Sequence, residues 1–190
     1  MSKPSDLYLG IDSATRYLAL ALWSPTDGTL ASVCPPVERE HAARIVPDID
    51  ALLAEVGATR HHLRGLGVGL GPGSYTGLRV GIAAAQGLAR GLGVPLRGSS
   101  SLAAMAYAHL TDGEAALCGF DARRGNVYAA RLRRKGDRVI QLGPLMKESA
   151  AALRERFTGE RFIVDAPLDA GYLARQAATA TTTSLTPLYL

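Results

Sequence analysis

Two aspartates each follow a compact apolar run and could take part in phosphate or magnesium chemistry. Asp12, with Ser13 and Thr15, follows LYLGI directly, and Asp121 follows ALCGF. A carboxylate there can hold a magnesium-bound water, and nearby hydroxyls or backbone N–H groups can meet a phosphate. The simpler interpretation is that these are turn residues that hydrogen-bond their own backbone, and we prefer it. Asp12, Ser13 and Asp121 are the candidates for cofactor binding. Because the turn interpretation is preferred, we expect no cofactor.

A glycine-rich loop, GLGPGSYTG, joins a predicted strand to a predicted helix. Such a loop can cradle a phosphate at the helix N-terminus. It lacks the GKS or GKT ending of a P-loop and the GxGxxG spacing with a distal acid. A tight strand-to-helix turn is therefore the better interpretation.

Neither the histidines nor the cysteines form a motif for metal binding or nucleophilic catalysis. His41 is followed by AARI, His61 and His62 are adjacent, and His109 stands alone. The two cysteines, Cys34 and Cys118, are far apart and have no CxxC spacing, and no GxSxG elbow is present. We expect no metal site and no complete catalytic constellation.

The apolar patterns predict an α/β fold. An opening hairpin over 7–11 and 17–23 is followed by a third strand, LASVC, and later elements alternate between helical and strand periods. The predicted helices are 42–56, with Pro47 expected to kink it, 76–92, SSSLAAMAYAHL, 147–157 and 170–178. The later predicted strands are 65–70, ALCGFD, NVYAARLRR, VIQLG and RFIVD.

Helix 76–92 has an apolar arc wider than packing on one layer requires. Its small residues would let a second helix approach closely, from this chain or from a partner, and helix 42–56 is the first candidate. Because an exposed smooth patch usually marks an interaction site, we expect these helices to form an association surface. Its predicted members are His41, Ile45, Ile49, Gly77, Gly81, Ala84, Leu88 and Gly91.

A short basic stretch surrounds the predicted strand NVYAARLRR. The chain of 190 residues carries a net charge of +4, and seven of its basic residues fall between 123 and 138. Such a cluster is more often a solvated strand face than an RNA site. Arg131, Arg133 and Arg134 are nevertheless possible RNA contacts.

The composition is that of a folded, soluble chain. It is 47% apolar and 20% charged, with no long apolar run and no secretory start. We expect a cytoplasmic protein without a membrane partner.

The order of elements resembles one lobe of the actin, hexokinase and Hsp70-like ATPases, the ASKHA group with a ribonuclease H-like fold. About 70 residues follow Phe120, too few for a complete second lobe, and they contain no Gly-Gly adenine loop. The resemblance implies a full N-terminal lobe over 1–110 and a small, degenerate, truncated lobe over 111–190.

Longer segments are similar to the bacterial TsaB family. They are LYLGIDSATRYLALALW, REHAARIVPDID, LGVGLGPGSYTGLRVGIAAAQGLARGLGVPLRGSSSLAAMA, GFDARRGNVYAA and the terminal TPLYL. GPGSYTGLRVG is the most specific of these blocks. The wider family includes proteins with an HxxxH metal motif, whose second position is empty after His41.

The resemblance implies a non-catalytic subunit in the synthesis of threonylcarbamoyladenosine beside the tRNA anticodon. Its implied partners are a TsaD-like transferase, a TsaE-like ATPase, a second copy when alone, and tRNA only indirectly. The segment after Gly143 is shorter than is usual for the family, which places the second lobe's contacts in question. The alternatives are a small ASKHA-type ATP-dependent phosphotransferase, which would use Asp12 and Asp121, and a glycoprotease-like hydrolase.

Overall fold

The first sheet contains five strands and carries the opening hairpin of the chain. A computed structural model describes residues 6–37, 40–179, 185, 186 and 188. The strands are β1 (Leu7–Asp12), β2 (Ala19–Ser24), β3 (Gly28–Val33), β4 (Leu63–Gly69) and β5 (Leu96–Ser99). Their order is β3-β2-β1-β4-β5, with β1 and β2 antiparallel and β1, β4 and β5 parallel. The predicted hairpin and third strand are confirmed.

Helices cover both faces of this sheet. On one face lie α1 (His41–Glu55) and α2 (Tyr75–Leu92), each within one residue of its predicted bounds. Pro47 lies inside α1. The other face packs against α5 (Ala170–Ala178). Because both faces are covered, the central strands are apolar on both sides.

The second sheet also contains five strands. They are β6 (Ala115–Asp121), β7 (Asn126–Lys135), β8 (Arg138–Gln141), β9 (Met146–Ser149) and β10 (Phe162–Val164). The order is β10-β6-β7-β8, and β9 pairs with the beginning of β7. One face packs on α3 (Ser101–His109), and the other carries α4 (Ala150–Arg156).

The predicted helix 147–157 was wrong at its start. Residues 146–149 form β9, because they pair with Asn126–Ala129 of β7. The helix begins only after Ser149, whose hydroxyl accepts a hydrogen bond from Ala152 N at 3.1 Å. A serine in this position is a helix N-cap.

One apolar cluster contains residues from both sheets. Ala19 and Ala21 of β2 pack in the same cluster as α3, α5 and the inner face of the second sheet. Gly10 and Gly67 admit the α5 backbone, since a Cβ at either would collide with a carbonyl oxygen of that helix. The division into 1–110 and 111–190 stays a prediction, although α3 packs on the second sheet and α5 on the first.

The α/β class is confirmed as two mixed five-stranded sheets. Within the part of the chain that the structure describes, no helix has the length and apolarity needed to cross a membrane. Most of the tail predicted to be irregular, TATTTSLTPLYL, lies outside the described residues. Leu188 is described, and its N–H donates to Leu70 O at 2.8 Å.

Candidate functional site

The turn after β1 is tied to the N-terminus of α2. Ser13 Oγ donates to Gly77 O at 2.8 Å, and Ser74 N donates to Ala14 O at 2.6 Å. Ser74 also caps α2 by accepting from Gly77 N at 3.2 Å. Gly77 and Gly81 have no room for a side chain, because a Cβ would collide with Ser13 O or Ser13 Oγ. The GPGSYTG loop thus serves to dock α2 onto the β1 turn.

Asp12 is fully buried beneath this turn. Its Oδ1 accepts from Ala14 N at 2.8 Å, the turn hydrogen bond expected of it. Its Oδ2 has no hydrogen-bond partner among the described residues. Burial raises the pKa of Asp12 to about 6, opposed by the nearby Ser101 hydroxyl and the Ala14 N–H. Burial of this kind shifts a carboxyl group toward its protonated form.

The turn after β6 holds Asp121 in a similar way but at the surface. Arg123 N donates to Asp121 Oδ1 at 3.0 Å, and Asp121 N donates to Asp165 Oδ1 at 3.0 Å. Arg123, Arg124 and Asp165 have φ values of 65°, 54° and 49°, in the left-handed region that non-glycine residues rarely occupy. Both carboxylates are therefore used to shape this turn.

A cleft of about 1030 Å³ separates the two turns. Its walls include Arg16, Tyr75, Asp121, Arg123 and Asp165. Asp12 is fully buried and is not part of the lining. The cleft is large enough for a small ligand, and it brings cationic and anionic side chains together.

The residues of this cleft do not fit the magnesium site expected from the sequence resemblance to the actin-like ATPases. The carboxylate that would hold the ion on the first lobe, Asp12, is sealed from the cleft. In the described ranges no group of three or more His, Cys, Asp or Glu side chains is placed to hold a metal ion. His41 is instead buried and its ring Nε2 lies 3.2 Å from Tyr17 O, and the His109 ring Nε2 lies 2.9 Å from Pro167 O.

The cysteines are unsuited to nucleophilic chemistry. Burial raises the pKa of the Cys118 thiol to about 12 and also raises that of Cys34. A thiol needs a lowered pKa to supply thiolate at neutral pH.

The predicted association residues divide into two groups. His41, Ile45, Ile49, Gly77 and Gly81 are buried within this chain. Ala84 and Leu88 are half-buried, and Gly91 is exposed. The second packing layer expected on α2 is thus provided in part by this chain's own α1 and β1 turn. An interface on these helices stays a prediction. Of its predicted residues, Ala84, Leu88 and Gly91 are accessible to a partner.

The predicted tRNA contacts also differ from one another. Arg131 pairs with Glu160 at 2.8 Å. Arg134 donates to the carbonyls of Tyr107 and Leu110 at 3.1 and 3.0 Å, and it stacks over the Tyr107 ring. Arg133 is exposed. Two of the three arginines therefore hold the fold together, and tRNA contact stays a prediction.

Several residues that position this region escaped the sequence analysis. Ser101 accepts from Gly71 N at 3.0 Å beside Asp12, and Arg16 lines the cleft. No motif marks either residue, and the hydrogen-bond partner of Ser101, Gly71, is 30 residues away in sequence. The Ser-Ser-Ser run before α3 predicted a cap, which Ser100 provides, but not the buried role of Ser101.

Comparison with known proteins finds similarity to proteins of tRNA modification. The family model described as "TsaD: tRNA N6-adenosine threonylcarbamoyltransferase" matches residues 33–165. The "tRNA threonylcarbamoyladenosine biosynthesis protein TsaB" of Escherichia coli (strain K12) is 37% identical over 158 residues, which cover 80% of this chain and 64% of that protein. The protein of the same description from Haemophilus influenzae is 37% identical over 129 residues, covering 67% and 54%.

The chain belongs to the TsaB/YeaZ family, which shares the TsaD-like domain. It spans about 64% and 54% of the length of the two relatives above. The structure described as "YeaZ from Pseudomonas aeruginosa" superposes with a TM-score of 0.80 at 23% identity, covering 97% of this chain and 100% of that chain. This likeness extends the similarity in fold to nearly the whole chain.

Proposed function

We propose that this chain is a non-catalytic partner subunit in the synthesis of threonylcarbamoyladenosine in tRNA. In this proposal it binds and supports a TsaD-like transferase together with a TsaE-like ATPase, in the cytoplasm. Its two sheets are the lobes of an actin-like ASKHA fold, 1–110 and a shortened 111–190. Family membership supports a role in this pathway, and the burial of Asp12 argues against catalysis by this chain.

The observation that carries the proposal is the burial of Asp12. In the actin-like ATPases that the sequence resembles, the aspartate after the first strand approaches the phosphates and the magnesium ion. Here that carboxylate is fully buried, accepts a hydrogen bond from its own turn and does not line the cleft. Exposing it would separate the β1 turn from α2, which are held together by the Ser13 and Ser74 hydrogen bonds.

The outward surface of α1 and α2 is the proposed docking site for the transferase and, in its absence, for a second copy. Val46 is 41% exposed and Tyr75 is 59% exposed, and both lie on these helices. Gly87 and Gly91 face open space. Small residues on an exposed helix face let another backbone approach closely, while the aromatic side chain offers a large contact area.

Reconstitution tests the catalytic part. Modification of tRNA should require TsaC-, TsaD- and TsaE-like proteins of the same organism together with this chain. The purified chain alone should show neither ATP turnover nor tRNA modification. Robust turnover by the chain alone would overturn the non-catalytic assignment.

A Gly87→Arg variant tests the docking part. Gly87 is exposed and has no atom within 4 Å of an added Cβ, so the variant should fold normally. An arginine buried without a partner in an interface costs about 3–5 kcal/mol, or roughly two to four decades of affinity. Gly87→Ala is the matched control. If Gly87→Arg keeps both self-association and capture of the transferase, the interface lies elsewhere.

A phosphotransferase is the second candidate, and the cleft between the lobes favours it. Arg16 and Arg123 stand on its two sides and could meet phosphates. Calorimetry of the isolated chain with ATP and magnesium separates the two functions. Saturable binding that is lost in an Arg16→Ala, Arg123→Ala double variant would favour the phosphotransferase.

A further inference from the structure

The outer face of the second sheet, the face that carries α4, has a basic end. On β7 the side chains of Leu132 and Arg134 point to α3, so Arg133 and Lys135 point to the outer face. Across the ladder Arg133 lies opposite Ile140, and Lys135 lies opposite Arg138. Directly opposite residues of antiparallel strands share a face. Arg133, Lys135 and Arg138 are called the basic face below.

The three cations of the basic face are available for a partner. All three are exposed, and none forms an ion pair with another residue of the described ranges. By contrast, Arg131 on the same face is neutralised by Glu160. The helix α4 covers only the other end of the sheet, where Leu153 packs on Leu117, Val127 and Ala129.

The chemistry of the basic face fits the sugar-phosphate backbone of a nucleic acid. Arg133 and Lys135 are two residues apart on one strand, so their Cα atoms are about 6.6 Å apart. This separation is comparable with that of successive phosphates along one strand, and Arg138 extends the row onto β8. A protein partner would need a larger apolar contact than Ile140, the one exposed large apolar side chain among the described residues of this hairpin.

We propose that Arg133, Lys135 and Arg138 form a phosphate-contacting surface for RNA on the outer face of the second sheet. The inference rests on the proposed function, which brings the chain into an assembly that acts on tRNA. The contacts are electrostatic and independent of base sequence. They contribute to holding the RNA, while the partner subunit performs the chemistry.

Each phosphate contact releases counterions, so binding weakens with salt by about 0.7–0.9 log units per contact per decade of salt. Three contacts should give a slope of about 2 to 3. Fluorescence anisotropy of labelled tRNA with the purified chain, between about 50 and 200 mM NaCl, measures this slope. The variant is Arg133→Ala, Lys135→Ala, Arg138→Ala.

The matched control is Arg44→Ala, Arg60→Ala, Arg64→Ala, which removes the same three charges from other surfaces. These arginines form exposed ion pairs, whose loss has little effect on stability. The inference expects the basic-face variant to lose most of the slope and the control to keep it. An equal loss in both variants would show an effect of net charge alone and would overturn the inference.

Two further outcomes would also overturn it. One is the failure of the unsubstituted chain to bind tRNA at the lowest salt. The other is binding of poly-glutamate that depends on the three residues while tRNA binding does not, which would indicate an acidic protein partner. Reconstitution of tRNA modification with the same variants is read separately. If the salt slope is unchanged while modification still requires the chain, the inference fails and the proposed function stands.

Discussion

Arg175 of α5 forms an ion pair with Asp137 in the turn between β7 and β8. The guanidinium also donates to Asp137 O at 3.0 Å and lies over the Tyr107 ring of α3, 4.6 Å from its centroid. Because α5 packs on the first sheet and β7 and β8 belong to the second, this contact joins the two sheets. Arg134 lies over the same tyrosine, at 4.0 Å from its centroid.

Replacement of Arg175 should destabilise the fold more than replacement of Asp137. The side chain of Arg175 is 17% exposed, whereas that of Asp137 is 75% exposed. Arg175→Ala removes the stacking as well as the charge and should lower the free energy of unfolding by about 2 kcal/mol. Asp137→Asn should cost less than about 1 kcal/mol. Urea denaturation measures both, and equal losses would assign the contribution to the ion pair alone.

The sequence predicted the elements whose pattern is local. Ile45, Ile49 and Leu52 recur at helical spacing, so α1 was predicted to within one residue of its observed bounds. The same kind of local pattern predicted the hairpin of β1 and β2. Residues 147–149 were assigned to a helix because their strand conformation depends on pairing with β7, about twenty residues earlier.

The candidate site was less predictable, because its geometry depends on the burial of its residues and on their contacts with residues distant in sequence. The sequence marked Asp12 as a candidate, but its burial depends on α2 docking through Gly77, more than sixty residues away. The positions of the small residues on a helical wheel do not determine whether these residues of α2 face this chain or a partner. Gly77 and Gly81 face the β1 turn, so an arginine substituted at Gly81 would disturb folding as well as any association.

Arg133 and Arg134 should behave differently despite being adjacent. Arg134→Ala removes two hydrogen bonds to carbonyls of α3 and its C-terminus, together with the stacking on Tyr107. We expect a loss of about 1–3 kcal/mol in the free energy of unfolding. Arg133→Ala should change it by less than about 0.5 kcal/mol, since the side chain is exposed. Thermal denaturation of the two variants side by side provides the check, and equal effects would contradict it.

The contribution of Asp12 to stability should fall as the pH rises through the range in which its carboxyl group titrates. Burial raises its pKa from 3.8 to about 6, so the folded state binds more protons than the unfolded state between these values. The contribution of Asp12 to the free energy of unfolding therefore decreases from about pH 4 to about pH 6 and stays lower above it, by up to about 3 kcal/mol.

Asp12→Asn should remove this pH dependence. The amide can still accept the Ala14 N–H but carries no charge, so the variant should gain stability near neutral pH and little near pH 4. Other carboxyls act in the opposite direction. Hydrogen bonds from Thr111 N and Arg161 lower the pKa of Glu114 to about 2, for example. The difference between wild type and variant, measured by urea denaturation across this range, isolates Asp12. A difference that does not vary with pH would contradict the prediction.

Two glycines of α2 should respond in opposite directions to the same substitution. A Cβ at Gly77 would collide with Ser13 O, a backbone atom that cannot rotate away, so Gly77→Ala must separate α2 from the β1 turn. We expect a loss of about 1–3 kcal/mol, the usual cost of overpacking. Gly87 lies on the exposed side of the same helix, and no atom is within 4 Å of an added Cβ. Gly87→Ala should stabilise the chain by about 0.5–1 kcal/mol, because alanine loses less backbone entropy in a helix.

Since helix propensity changes equally in the two variants, the difference between their unfolding free energies reports the close approach of α2 to Ser13. If Gly77→Ala is as stable as Gly87→Ala, the helix does not dock against the turn in the way described.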